Sequence, residues 1–197
     1  MELSDRAFTP TPQVIENYRD FEPPLHLRAQ VEQLLHAVPP KYLVGLKTVL
    51  LTNRGALTRD QRRQKVFGRK GKYALAEARG AYYRATNSNS AYVLLLVDNI
   101  LSAWSSWLLR VPYFQYSVLS ETLYHEIGHH IHAVHQPVYD GEENVAESWR
   151  RKLNGIFIRR RYWYLRPILY PTGKLARFVL KSEAFKKLEK KYSGRRG

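Results

Sequence analysis

The chain has 197 residues and no cysteine, which excludes disulfide scaffolding, a cysteine-ligated zinc ribbon and thiol catalysis. Its one methionine is Met1. Acidic residues are scarce: 17 Asp and Glu stand against 32 Lys and Arg, a net charge of +15. Unbroken apolar runs are also missing. The stretch from Tyr92 to Leu109 comes nearest, but it carries Asp98 and Asn99 mid-way and Ser102, Ser105 and Ser106 after them. A membrane span would have to bury those groups, so a core strand followed by a helix is expected. The first six residues lack a basic region followed by an apolar run, so no secretion signal is visible and the chain is expected to be cytoplasmic. No internal repeat is evident. What is present, 44% hydrophobic and 13% aromatic residues, suffices for one sizeable core in a chain of this length.

The most informative residues that are present are His125-Glu126-Ile127-Gly128-His129, the pattern HExxH. Helical positions four apart share a face, so His125 and His129 can offer two imidazole nitrogens to one ion. Glu126, the next residue after His125, can reach a water at that ion and serve as general base. Leu119, Leu123, Ile127, Ile131 and Val134 recur at helical spacing as an apolar stripe for a core. Thr122, His125, His129 and His132 fall on another face. Gly128 lowers helix propensity but lets another backbone, or a substrate, approach closely. The pattern points to a zinc-dependent hydrolase.

Catalytic zinc takes three protein ligands and keeps a fourth position open, so the third ligand decides the family. His135 extends the motif toward the metzincin pattern HExxHxxGxxH. That pattern needs glycine where this chain has His132, and it brings a methionine turn that a chain with only Met1 cannot supply. SprT-like peptidases take a third histidine further on, and none follows His135. Downstream, Glu143-x-x-Ala146-Glu147 resembles the gluzincin signature E-x-x-A-[DE] on a second helix. The resemblance implies that Glu143 is the third zinc ligand and that Glu147, one turn on, holds a ligand histidine by its other ring N–H. Glu142 and His135 remain alternatives to Glu143. Ala146 is small enough for two helices to pack closely, and Asp140-Gly141 suits a turn before the second helix.

Other elements follow from local pattern. Residues 1–24, with Pro10, Pro12, Pro23 and Pro24, read as an extended arm. Leu25 to Val38 has helical spacing, Tyr42 to Leu51 reads as a strand interrupted by Gly45, and Arg59 to Lys65 as a short helix. Tyr73 to Arg84 and Ala91 to Ile100 flank the turn formers Thr86 to Ser90 and predict a β-hairpin. A helical stretch around Ala103 to Arg110 leads to the HExxH helix, which begins near Tyr113. The expected fold is α+β: a zincin-like domain over residues 25–155, with a small, mostly antiparallel sheet packed on the HExxH helix and a second ligand-bearing helix. The resemblance further implies that Ala91–Val97 lies along the cleft edge and pairs with a peptide substrate by strand addition. It implies peptide hydrolysis with Glu126 as base and a later His, Tyr or Arg stabilising the oxyanion. Tyr139, Tyr162 and Tyr164 are candidates by type.

Charge divides the chain. Residues 147–197 hold 16 basic and 3 acidic residues, and residues 1–146 hold 16 and 14. Residues 156–197 thus form a basic, aromatic-rich extension. Basic residues over 150–196, with a second cluster over 59–72, suit nucleic-acid phosphates and bases. An anionic membrane surface or a merely solvated tail are the competing readings. Three functions are compatible: a gluzincin-type zinc metallopeptidase acting on peptide or protein substrates, among them proteins at nucleic acid; a nucleic-acid-binding protein with a structural or vestigial zinc site; and a membrane-surface or partner-binding module on a degenerate peptidase fold. Glu126 favours the first, since a purely structural site has no use for a base beside a water.

Overall fold

A computed structural model describes residues 11–68, 71–104, 108–135 and 142–163. The chain divides into two compact units, Met1–Phe157 and Ile158–Gly197. The first is mixed α+β. Strands β1 (Gln13–Asn17), β2 (Leu46–Thr52), β5 (Gly80–Tyr83) and β6 (Ala91–Leu96) form a sheet in the order β1-β2-β6-β5, while β3 (Lys65–Gly68) and β4 (Gly71–Ala74) make a separate two-stranded sheet. Helices α1 (Leu27–Ala37), α2 (Arg59–Arg63), α3 (Val97–Ser102), α4 (Pro112–His135) and α5 (Glu142–Arg161), with three short 3-10 turns, complete the described elements. Among the described residues no helix is long and apolar enough to cross a membrane.

The sheet is not mostly antiparallel. Strand β1 pairs parallel to β2, β2 pairs parallel to β6, and only β5 runs antiparallel to β6. One of the two parallel pairings arises in the proline-bearing arm, where residues 13–17 form a strand. The crossover through α1 then returns the chain in the same direction, as parallel pairing requires. The edge assignment changes too. Strand β6 lies inside the sheet, and β5 is the edge strand beside α4.

Alternation along the strands gives the sheet two apolar faces. Val49, Leu51, Val93 and Leu95 lie on one, all fully buried. Tyr82, in register with Val93, reaches His130 of α4 from this side. The helices on this face are joined by Tyr124, whose hydroxyl donates to Leu34 O of α1 at 3.0 Å. On the other face Leu50, Tyr92, Leu94 and Leu96 pack with Leu57, Leu75, Ala78 and Ala81. Those residues bring the inserted segment, with α2 and the β3–β4 hairpin, onto the sheet.

Element ends moved where the backbone had local reasons. The strand expected from Tyr42 starts at Leu46, because Pro40–Tyr42 is a 3-10 turn and Gly45 takes φ +85°, a left-handed conformation suited to glycine. The strand expected to reach Ile100 stops at Leu96. Asp98 lies in the first turn of α3, where an acidic group is favoured, and accepts from Arg54 N–H and from Arg54 Nε at 2.8 Å. Asn99 Nδ2 donates to Ala76 O at 2.9 Å and to Ala78 O. The polar residues that interrupt the apolar stretch are thus tethers between α3 and the segment crossing the sheet. The run from Tyr73 to Arg84 is split by a 3-10 turn at Leu75–Glu77, so β4 and β5 belong to different sheets. The β5–β6 hairpin forms as its turn residues indicate, with Thr86 N–H donating to Asn89 O at 2.8 Å.

Candidate metal centre

Helix α4 begins at Pro112, where a missing N–H costs nothing, and runs through HExxH to His135. Leu119, Leu123, Ile127 and Ile131 are buried as their spacing indicates, whereas Val134, the last of the stripe, is 47% exposed. Residues off that stripe are covered as well: Thr122, Glu126, His130 and His132 are buried. Two close approaches account for this. A Cβ on Gly80 of β5 would meet Thr122 Cγ2 at 2.8 Å and Glu126 Oε1 at 3.0 Å. A Cβ on Gly128 would lie 2.6 Å from Ala146 Cα and 2.7 Å from Ala146 O. Gly128 and Ala146 therefore let α5 lie against α4, and Glu143, one turn before Ala146, comes to the two histidines.

His125, His129 and Glu143 converge, each offering one ligand atom within 4.8 Å of the others. His125 Nε2 and His129 Nε2 are 3.2 Å apart, and the Glu143 carboxylate oxygens lie 3.5 Å from His125 Nε2 and 3.6 Å from His129 Nε2. Ligand atoms about 2.0–2.1 Å from one tetrahedral ion sit roughly 3.3 Å apart, so these three separations fit the edges of such a site. Protonation also fits. Burial holds the His125 imidazole below its usual range, and burial with the neighbouring His125 pushes His129 down to about 4, so both rings stay neutral as metal ligands must. Burial and Glu142 raise the Glu143 carboxyl, which marks a carboxylate short of positive charge. Three donors of this type could hold a metal ion.

The charge of Glu147 bears on His125, opposing the burial that lowers that imidazole's pKa, while its hydrogen bonds go to arginines. Glu147 accepts from Arg150 at 2.7 and 2.8 Å and from Arg151 at 2.9 Å, and these arginines, Arg150 foremost, hold its carboxyl down to about 2. Glu142 is the acid beside the other imidazole, its Oε1 3.3 Å from His129 Nδ1 and 3.3 Å from Arg84. Physically, an arginine fork outcompetes an imidazole N–H for a carboxylate. His135 is exposed and packs edge-on against Tyr42, with centroids 6.3 Å apart, away from the other two histidines. Asp140 and Gly141 lie outside the described residues.

Glu126 is buried at the floor of a cleft of about 1150 Å³ that also exposes His125, His129 and Glu143. Its carboxylate accepts from the backbone N–H of Tyr82, while burial and then Glu143 push its pKa up to about 8. Strand β5 is thus clamped to α4 beside the site. A second clamp is His130, which sequence reasoning missed. Its Nε2 lies 3.0 Å from Val44 O and its Nδ1 3.1 Å from the Tyr82 hydroxyl. Because the carbonyl can only accept, Nε2 carries the proton and Nδ1 accepts from Tyr82. Gly80 was also missed, although an isolated glycine in a strand-like run signals close backbone approach. Comparison of the chain with protein-family models, with curated proteins and with solved structures found no match.

Proposed function

We propose that this protein is a zinc-dependent metallopeptidase with a gluzincin-like site on a zincin-like domain, hydrolysing peptide bonds in the cleft beside β5. The carrying observation is the convergence of His125, His129 and Glu143 at tetrahedral spacing next to a buried, non-ligating Glu126. His125, His129 and Glu143 would hold the ion, which when bound supplies Lewis-acid chemistry toward water and a carbonyl. Glu126 takes a proton from the attacking water and later delivers it to the leaving amine. Tyr82 N–H keeps the Glu126 carboxylate aimed into the cleft. Edge strand β5, rather than β6, offers its open side to an extended peptide by strand addition, and the cleft has volume for several residues.

Metal analysis separates the two neighbouring glutamates. Zinc measured by inductively coupled plasma mass spectrometry after dialysis should be near one per chain in wild type and lost in Glu143→Ala. Glu142→Ala should keep the ion with roughly 10–100-fold weaker affinity, the usual effect of removing a group that orients a ligand. Sub-stoichiometric zinc in wild type would remove the reading at its root.

In the same reading, the basic residues of 59–72 and 150–196 bring the enzyme to nucleic acid. Arg59, Arg62 and Arg63 are exposed on α2, and the C-terminal excess of 16 basic over 3 acidic residues supplies most of the charge. Residues 164–197 lie outside the described residues. Affinity for single-stranded DNA should fall steeply and log-linearly with salt concentration; a flat response would leave a peptidase without this partner.

A further inference from the structure

Peptide hydrolysis needs a donor aimed at the oxygen that becomes negative in the transition state. Of the three tyrosines suggested by residue type, Tyr162 is buried and is not a cleft-lining residue, and Tyr139 and Tyr164 lie outside the described residues. Three other tyrosines line the cleft: Tyr73, Tyr82 and Tyr83. The Tyr82 hydroxyl is committed to His130 Nδ1 at 3.1 Å. Tyr83 donates to Gln64 Oε1 at 3.4 Å, and its ring stacks on Tyr92 with centroids 4.6 Å apart at 8°. The arginines of the cleft are mostly paired as well, Arg84 with Glu142 and both Arg150 and Arg151 with Glu147.

Tyr73 differs. Its hydroxyl has no hydrogen-bond partner among the described residues. Its ring packs on the cluster of Leu57, Leu75, Ala78 and Ala81, which fixes the side chain without using the hydroxyl. It belongs to β4 of the inserted hairpin, whose base is closed by the Lys65–Ala74 pairing and by Leu75 N–H donating to Gln64 O at 2.8 Å. The charges that bear on the hydroxyl are Glu126 and Glu143, the general base and the third ligand. Burial first, and then those carboxylates, raise its pKa above the usual phenol value, so the group keeps its proton at neutral pH.

We propose that Tyr73 is a catalytic residue, its hydroxyl donating to the carbonyl oxygen of the scissile peptide bond as that oxygen gains charge. The assignment rests on the metallopeptidase reading. In the step, the oxygen of water bonds to the carbonyl carbon while the C=O π pair moves onto oxygen, and that oxygen accepts the Tyr73 O–H. Glu126 takes the water proton. When the C–N bond breaks, its electron pair leaves on nitrogen, Glu126 returns the proton there, and the carbonyl re-forms. Tyr73 keeps its own proton throughout. The electrophile thus comes from the insert upstream of α4, so the hairpin is part of the catalytic apparatus.

The test uses full-length, zinc-loaded wild type and Tyr73→Phe, with acetohydroxamate as a small probe of the carbonyl position and fluorescein-labelled casein as substrate. Tyr73→Phe should bind zinc stoichiometrically and melt like wild type, yet hold acetohydroxamate about ten-fold more weakly, the loss of one hydrogen bond. Its kcat on casein should fall about 10²-fold with KM little changed. In protein labelled with 3-fluorotyrosine, the ¹⁹F resonance missing from Tyr73→Phe should move when acetohydroxamate is added. Equal acetohydroxamate affinity in the two proteins, or a Tyr73 resonance that stays still, overturns the Tyr73 assignment while leaving the peptidase reading intact. Zinc-loaded wild type that neither binds acetohydroxamate nor cleaves casein overturns the peptidase reading and the assignment with it.

Discussion

Glu126→Gln should yield a protein that carries a full zinc ion and hydrolyses peptide bonds about 10²–10⁴-fold more slowly, the usual contribution of a general base. Glu126 is not one of the three converging ligands, so metal content should hold. Glutamine has the same shape, and its carbonyl oxygen can still accept from Tyr82 N–H. The loss should therefore fall on kcat. Activity, zinc content and melting temperature measured on one preparation check all three parts; retained activity would remove Glu126 from its role. Metal-free protein provides a further sign. Burial raises the Glu126 pKa from 4.5 to about 8. A carboxyl whose folded-state value is raised contributes stability fully below the unfolded value, and loses it as pH rises through the folded one. Without metal, wild type should thus melt progressively lower than Glu126→Gln as pH is raised from 5 toward 8, the gap closing at the acidic end.

The second large effect is expected at Gly128. At an open helical position, glycine to alanine gains about 1 kcal/mol from propensity alone. At Gly128 the added Cβ would lie 2.6 Å from Ala146 Cα and 2.7 Å from Ala146 O. Both are backbone atoms, which cannot swing aside, so α5 must move or the core must open. Overpacking of this kind costs about 1–3 kcal/mol, more than the propensity gain. Because Glu143 rides on α5, the displacement should also pull the third ligand from His125 and His129. Gly128→Ala should accordingly lower the melting temperature and weaken zinc binding at least ten-fold. A raised melting temperature with zinc retained would mean that the two helices do not touch there.

The parts of this site legible in sequence are those set by local periodicity. His125 and His129 meet because one helical turn separates them, and Glu126 follows from the next position. Glu143 was legible because its helix follows within a few residues and carries alanine where the helices touch. Tyr73, Tyr82 and His130 were not legible. Tyr82 and His130 find each other across 48 positions, and Tyr73 reaches the cleft only because the β3–β4 insert folds onto the outer face of the sheet. Glu147 shows the limit of spacing from the other side. It lies on the right helical face and its charge bears on His125, but its hydrogen bonds go to Arg150 and Arg151, three and four residues on, and Glu142 is the acid beside His129.

The sequence by itself determined that His125 and His129 share a helical face with Glu126 next to the first, and that the chain carries no cysteine and no methionine beyond Met1, because these depend on residue type and on spacing within a single helix. Tertiary structure decided that β5 rather than β6 borders the cleft, that the arm supplies a parallel strand, which glutamate lies beside His129, and which cleft tyrosine has a hydroxyl without a hydrogen-bond partner among the described residues. Those outcomes depend on strand order and on competition among neighbours distant in the chain. Packing at two positions without side chains, Gly80 and Gly128, brings those neighbours close enough to compete.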